Sequence, residues 1–359
     1  MSGNLKILQI IDSLNVGGSE RMSINIYNTL TDHNINNKLI VTRKEGPLYK
    51  FIKDPRNVYF LNKKNSCDFF AFLRLLKIIV EYKPSIVHVH QTSIYWMFLV
   101  KVFLPQTKVI WHDHWGFSDL LNDSDRKLIR RFSFLLDGVV CVNEKIREWN
   151  IRNLKVREEL VVFIRNYPLL KQLERDDKPS SLIVCVANIR DQKDHPNLLE
   201  ACAILKKEKI DFKLLLVGSH EDISWVDKVK RMIKDLKLDN EVKLLGAVSE
   251  ISEILTEADL GVLSSVSEGL PVSLLEYGLM SLPVVCTDVG QCSEVLGNGE
   301  YGWLVPPKSP KRLALAMKEA LLNKDKAKER SLKLKNNIEE NYGANNFINS
   351  YLKFLEILN

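Results

Sequence analysis

The sequence predicts an α/β protein of two parallel-sheet domains, and three observations carry that prediction. Short apolar runs alternate with longer stretches of helical periodicity through both halves, the pattern of sheets buried on both faces by crossover helices. The length of 359 residues exceeds what one hydrophobic core organises. A polar stretch, Arg175-Asp176-Asp177-Lys178-Pro179-Ser180-Ser181, breaks the alternation near the middle and reads as a linker. The expected division is residues 1–168, a linker at 169–181, a second domain at 182–342, and a helix at 343–359 that packs back on the first domain.

In the first half the predicted strands are 6–11, 38–41, 58–60, 86–90, 109–111, 138–142 and 160–164, with helices filling the gaps, notably at 20–30, 68–82 and 125–136. In the second half the strands are 182–186, 213–217, 241–245, 260–263, 283–286 and 302–305. Helices fit between them at 195–207, 224–236, 249–258, 271–280 and 310–322, and a last one at 345–358. Open sheets of this kind bind ligands where strands end and helices begin, so two such sheets facing across a cleft direct attention to the segments that follow strands.

Composition narrows the class. Hydrophobic content of 45% and charged content of 27% fit a soluble globular protein. The apolar start Ile7-Leu8-Gln9-Ile10-Ile11 is too short for a signal peptide, and the most apolar window, 94–104, contains Lys101, so a cytoplasmic protein with no bilayer-spanning segment is expected. Six cysteines without C-x-x-C spacing read as buried free thiols in a reducing compartment. Residues 1–170 hold 25 Lys+Arg against 16 Asp+Glu, and residues 171–359 hold 26 against 29. A basic first half, with Arg126, Lys127, Arg130 and Arg131 on one predicted helix, suits an anionic membrane surface or a phosphorylated acceptor. No aromatic interleaving or recognised motif accompanies these charges, so nucleic acid is not expected as a partner.

The most informative segment is Ser267-Glu268-Gly269-Leu270-Pro271-Val272-Ser273-Leu274-Leu275-Glu276. Pro271 suits a first helical position, which puts Glu268 and Gly269 in the preceding loop and Glu276 inside the helix. Gly269 admits close approach of a ligand, and the first-turn N–H groups suit phosphate. A carboxylate beside them suits the hydroxyl donors of a sugar; a capped helix with solvated glutamates is the competing explanation. After the first strand, Gly17-Gly18 opens a helix without being a G-x-G-x-x-G or Walker loop, and a plain tight turn explains it equally. Arg190 and Lys193 follow the first strand of the second half, where two cations suit a diphosphate.

Trp111-His112-Asp113-His114-Trp115 follows another strand, and His112 there can meet a sugar hydroxyl. His88 and His90 share a strand face and, with His112 and His114, invite a metal; no cysteine or carboxylate at recognised spacing completes the set, so none is expected. Asp123-Ser124-Asp125 precedes a helix rather than following a strand and reads as an N-cap.

In this order the segments resemble the retaining glycosyltransferases of family 4, whose GT-B fold has two facing Rossmann-like domains. The resemblance covers nearly the whole chain. It implies that a nucleotide-sugar donor, a UDP-sugar first among candidates, binds the second domain and a saccharide or lipid-linked saccharide acceptor the first. It further implies that Glu268 contacts the transferred sugar, Gly269, Leu270, Pro271 and Val272 meet the donor, and Glu276 bonds the ribose. Arg190 and Lys193 would hold the diphosphate, His112 would line the sugar pocket, and Gly17 and Gly18 would close on the phosphates. Two departures stand out: Asn188 occupies the family's usual arginine position, and Gln291 replaces the second glycine of a Gly-Gly pair. The implied reaction is metal-independent transfer with retention in capsule, O-antigen or lipopolysaccharide assembly. Alternatives on the same fold are a UDP-sugar 2-epimerase, which needs no acceptor, and a silent nucleotide-sugar-binding partner.

Overall fold

The computed structural model describes residues 5–43, 45–115, 126–170, 173, 181–220 and 222–358. The chain forms two compact units, Met1–Tyr167 with Ala344–Asn359, and Pro168–Gly343.

The first unit holds seven parallel strands: β1 (Lys6–Ile11), β2 (Asn36–Val41), β3 (Val58–Phe60), β4 (Ile86–His90), β5 (Val109–Asp113), β6 (Gly138–Cys141) and β7 (Val161–Phe163). Their order is β3-β2-β1-β4-β5-β6-β7. The order reverses between β1 and β4, the position at which open sheets receive ligands. Helices α1 (Gly18–Asp32), α2 (Phe69–Tyr82), α3 (Ile94–Phe103), α4 (Lys127–Phe132) and α5 (Glu144–Asn153) connect them. In α1, Met22, Ile26 and Leu30 recur every fourth residue and are buried in one cluster with Ile7 and Ile86. That stripe is what makes a moderately polar segment a core helix.

The second unit repeats the plan with six parallel strands, β8 (Leu182–Val186), β9 (Lys213–Val217), β10 (Val242–Gly246), β11 (Leu260–Leu263), β12 (Val284–Thr287) and β13 (Trp303–Val305), in the order β10-β9-β8-β11-β12-β13. Its helices are α6 (His195–Lys207), α7 (Ile223–Asp235), α8 (Ser252–Glu257), α9 (Val272–Leu279), α10 (Cys292–Val295), α11 (Pro310–Leu322) and α12 (Lys324–Asn341). The last helix, α13 (Ala344–Leu358), buries Phe347, Ile348, Tyr351, Phe354 and Leu355 in the first unit's core beside Ile110 and Val140.

Helix α9 is seated by close contacts. The Tyr277 hydroxyl accepts from Val186 N at 2.7 Å, and a Cβ on Gly261 would stand 2.7 Å from the Tyr277 ring. A Cβ on Gly278 would likewise meet Ile338 of α12 at 2.6 Å.

Several expectations need correction. Helix α12 lies where none was predicted and buries only a thin stripe of Ala327, Ser331, Leu334 and Ile338, whereas α3, in one of the gaps expected to be helical, is apolar almost all round. Pro271 is the extended residue before α9, at φ −71° and ψ 117°, not its first helical residue. Cys67 is exposed, whereas the other five thiols are buried. Arg126 does not join a surface cluster, because its side chain is buried against Asp113. Asp123-Ser124-Asp125 and most of the predicted linker lie outside the described residues.

Candidate active site

In the second unit the chain leaves β11 through a loop, 264–271, that carries Glu268 into α9. Its backbone is held from both sides. Gln192 Nε2 donates to Ser267 O at 2.7 Å, Val266 N donates to Gln192 O at 2.9 Å, and Thr287 Oγ1 donates to Ser265 O at 2.7 Å. Behind the loop, Gly290 has φ +56°, and a Cβ there would lie 2.2 Å from Glu268 O. Gln291 N bonds Gly269 O at 3.0 Å, so residue 291 serves this turn through its backbone whatever its side chain.

The Glu268 carboxylate is buried, and Oε1 accepts from Lys193 Nζ at 2.5 Å and from Ser265 Oγ at 2.6 Å. Ser264 Oγ donates to Lys193 O at 2.9 Å, which ties the lysine-bearing turn to the end of β11. A carboxylate and an ammonium desolvated together are held at defined positions. The arrangement presents a negative and a positive group beside the start of a helix whose first residues, Val272 and Ser273, are half-buried. Glu276 is buried on α9.

Arg190 is exposed, and its guanidinium takes part in none of these bonds. Asn188 has a structural task instead of a cation's: its Oδ1 accepts from Ser219 N at 2.9 Å. That bond fixes the loop after β9, where a Cβ on Gly218 would strike Ala187 O at 2.1 Å.

In the first unit, Gly17 is the extended N-cap of α1 and Gly18 its exposed first residue. A Cβ on Gly17 would meet Glu20 Oε2 at 2.4 Å, whereas one on Gly18 meets nothing within 4 Å. Ser19 Oγ accepts from Gln91 Nε2 at 2.5 Å and donates to Glu20 Oε2 at 2.7 Å, tying this turn to the end of β4. Asp12, at the end of β1, accepts from Lys63 Nζ at 3.0 Å and Thr92 Oγ1 at 3.1 Å.

His112 lies inside a column of stacked imidazoles. Ring centroids are 4.6 Å apart for His88 and His90 and 3.9 Å for His112 and His114. His88 Nε2 and His112 Nδ1 are 3.1 Å apart, as are His90 Nδ1 and His114 Nε2. His90 Nε2 reaches Gln9 Oε1 at 3.2 Å, and Tyr351 on α13 reaches His88 Nδ1 at 2.8 Å. Burial pushes His88 down to about 3 and His114 to about 4, and holds His90 and His112 well below the usual histidine range. All four rings are therefore neutral at neutral pH. Nitrogens of His88, His90 and His112 lie within 4.8 Å of one another, close enough for a shared metal. Two members of that set, His88 Nε2 and His112 Nδ1, already bond one another, a contact that a shared ion would displace.

Beside this column, Asp113 was not singled out from sequence. It takes both guanidinium nitrogens of Arg126, at 2.5 and 2.7 Å, and Asn150 Nδ2 at 3.0 Å. The guanidinium carbon lies 4.5 Å from the Trp115 ring centroid, 5.2 Å from that of Trp149 and 5.3 Å from that of Trp111. The three tryptophans were the available signal, since such rings favour a desolvated arginine.

Two parallel Rossmann-like sheets with candidate groups at the strand ends define a GT-B glycosyltransferase. Residues 16–167 match the model of Glycosyltransferase Family 4 and residues 168–341 that of Glycosyl transferases group 1, and the chain belongs to this family. An uncharacterized glycosyltransferase of Haemophilus influenzae is 23% identical over 80% of this chain and 82% of its own length. The O-antigen biosynthesis glycosyltransferase WbnH of Escherichia coli is 26% identical over 81% of this chain and 83% of its own. The fold is shared with Anabaena HepE, solved with UDP-glucose, at TM-score 0.81 and 17% identity over 99% of each chain. Among the described residues no helix is long and apolar enough to cross a membrane.

Proposed function

We propose that the chain transfers a hexosyl or N-acetylhexosaminyl group, with retention, from a UDP-sugar to a saccharide or lipid-linked saccharide in surface-polysaccharide assembly. The observation that carries this reading is the buried Lys193–Glu268 pair at the start of α9. HepE's complex with UDP-glucose supports the donor class, and WbnH's O-antigen role supports the pathway class.

In the proposed step the bond from the sugar C1 to the diphosphate oxygen breaks first, leaving an oxocarbenium-like centre. The acceptor oxygen bonds C1 on the same face, and its proton passes to the departing phosphate. Lys193, with Arg190 and the α9 N-terminus, stabilises the diphosphate's growing charge, and Glu268 holds the sugar hydroxyls. Preorganised groups of this kind are worth about 10²–10³-fold each. No protein base is needed, and the reaction is proposed to be metal-independent.

The reading extends to a peripheral membrane contact through the first unit. Its support is the basic balance of that half together with exposed apolar side chains on α2 and α3, among them Phe69 (63% exposed), Val102 (70%) and Phe103 (63%). A helix face that mixes such groups with the exposed Lys77 of α2 suits an anionic lipid surface, and a cytoplasmic enzyme acting at that surface is the proposed setting.

A thermal-shift panel of nucleotide sugars, with and without EDTA, tests the donor. Stabilisation by one UDP-sugar that survives EDTA is expected; no shift with any of them, or a shift lost to EDTA, contradicts the reading. Proton NMR of the product then checks retention, since an inverted anomeric configuration would exclude the proposed step.

A further inference from the structure

Backbone strain marks the end of β4. Gln91 follows that strand directly at φ +49°, in the left-handed region that favours glycine. Lys83 shares the conformation, but there it closes α2, with its N–H donating to Ile79 O at 2.9 Å. Gln91 ends no helix: His90 before it is extended, and the turn 91–93 leads into α3. A glycine would adopt this φ without strain, so what the glutamine side chain does must offset it.

That side chain crosses the switch point between β4 and β1. Its Nε2 donates to Ser19 Oγ at 2.5 Å, in the turn that opens α1, 72 positions away. Ser19 is buried, and its one hydroxyl proton goes to Glu20 Oε2 at 2.7 Å. A carboxylate only accepts, so Ser19 Oγ accepts from Gln91, and the amide faces it through nitrogen. The same Glu20 oxygen is the atom that a Cβ on Gly17 would meet at 2.4 Å. Gln91, Ser19, Glu20 and Gly17 thus form one chain of contacts that sets the path of the Gly17–Gly18 turn. The backbone of Gln91 is fixed in its turn, because its carbonyl accepts from Trp111 Nε1 of β5 at 3.1 Å. The next two residues, Thr92 and Ser93, donate to Asp12 at 3.1 and 3.3 Å, which joins the end of β4 to the end of β1.

We propose that Gln91 is a positioning residue of the first unit, whose strained backbone and side-chain strut hold the Gly17–Gly18 turn in one arrangement before a substrate arrives. This rests on the transfer reading above, with that turn meeting a substrate. Gly18 is exposed and a Cβ on it would meet nothing within 4 Å, so the turn offers open backbone at the switch point. Without the strut the turn is ordered only on binding, which weakens affinity. A strut that served the fold alone would lose stability and activity together. A strained positioning residue separates the two, since its removal relieves the backbone while it loosens the turn.

Three variants of the full chain test this. Gln91→Gly removes strain and strut together, Ser19→Ala removes the far end of the strut and leaves the strain, and the third combines both. The melting temperature of Gln91→Gly is expected to stay at or above the parent's, and that of Ser19→Ala to fall below it. Hydrogen exchange at residues 17–20 is expected to quicken in both, with β4 unchanged. UDP release from the UDP-sugar found by the thermal-shift panel should lose about tenfold in kcat/KM in each single variant, chiefly through KM. The double variant should lose no more than either one. Unchanged exchange at residues 17–20, unchanged kcat/KM, additive losses, or a fall in melting temperature that accompanies the loss of activity in Gln91→Gly would overturn the proposal. Exchange and melting are read without substrate, so a chain that turns over no nucleotide sugar would sink the transfer reading while the strut is still decided.

Discussion

The two units share a sheet plan and place opposite kinds of polar group at the strand ends. The first holds four neutral histidines, three of them fully buried, stacked and bonded in two chains at the ends of β4 and β5. The second buries a charge pair, Lys193 with Glu268, beside the start of α9. The same topology thus carries two kinds of polar group, one neutral and one ionised. What differs is the handful of side chains at the strand ends.

The largest expected effect is a difference in acid sensitivity. The four rings of the first unit bind protons more readily in the unfolded chain, where histidines titrate at about 6.5. Their contribution is complete above that pH and is lost as pH falls from there toward the folded values, about 3 for His88 and about 4 for His114. The loss is about 1.4 kcal/mol per ring per pH unit. The second unit has one comparably buried histidine, His195, lowered to about 4 by burial. Hydrogen exchange between pH 7 and pH 5 should therefore open β4 and β5 well before β8 and β11; equal loss in both would remove the basis for treating the column as neutral.

Next in size is Arg126→Met. Removing one partner of a buried ion pair costs about 3–5 kcal/mol, and the contacts with Trp111, Trp115 and Trp149 go with it. The first unit should lose stability on denaturant titration, while nucleotide-sugar affinity measured by calorimetry stays within about twofold, or about 0.4 kcal/mol. A matching loss of affinity would show that the donor depends on this pair.

Gly290→Ala sharpens the comparison from the other side. The residue sits at φ +56° with its would-be Cβ against Glu268 O, so alanine is strained by about 1–3 kcal/mol and displaces the loop. The donor KM should rise while the first unit's hydrogen exchange is unchanged. An unaltered KM would mean that the Glu268 loop tolerates movement and does not set donor binding.

Much of the fold was legible because parallel strands are short runs of Val, Ile and Leu that differ sharply from their surroundings. Helix α12 escaped because it lacks that contrast: it hides a four-residue stripe among lysines and glutamates. Strand ends could be read as the place for candidate groups, but partners distant in sequence could not. Lys193 and Glu268 are 75 positions apart, and Tyr351 is 263 from His88. Arg126 illustrates the same limit, since its buried partner, Asp113, stands 13 positions away in sequence. The exchange of an expected arginine for Asn188 became intelligible only when its bond to Ser219 N was located.

The central claim is that the Lys193–Glu268 pair carries sugar transfer. Glu268→Gln tests it most directly, because glutamine keeps the shape and can still accept from Ser265 Oγ while removing the charge. UDP release from the donor named by the thermal-shift panel should fall by about 10²–10³-fold in a protein whose circular dichroism is unchanged. Turnover within a few-fold of the parent would contradict the account and place the chemistry elsewhere in the molecule.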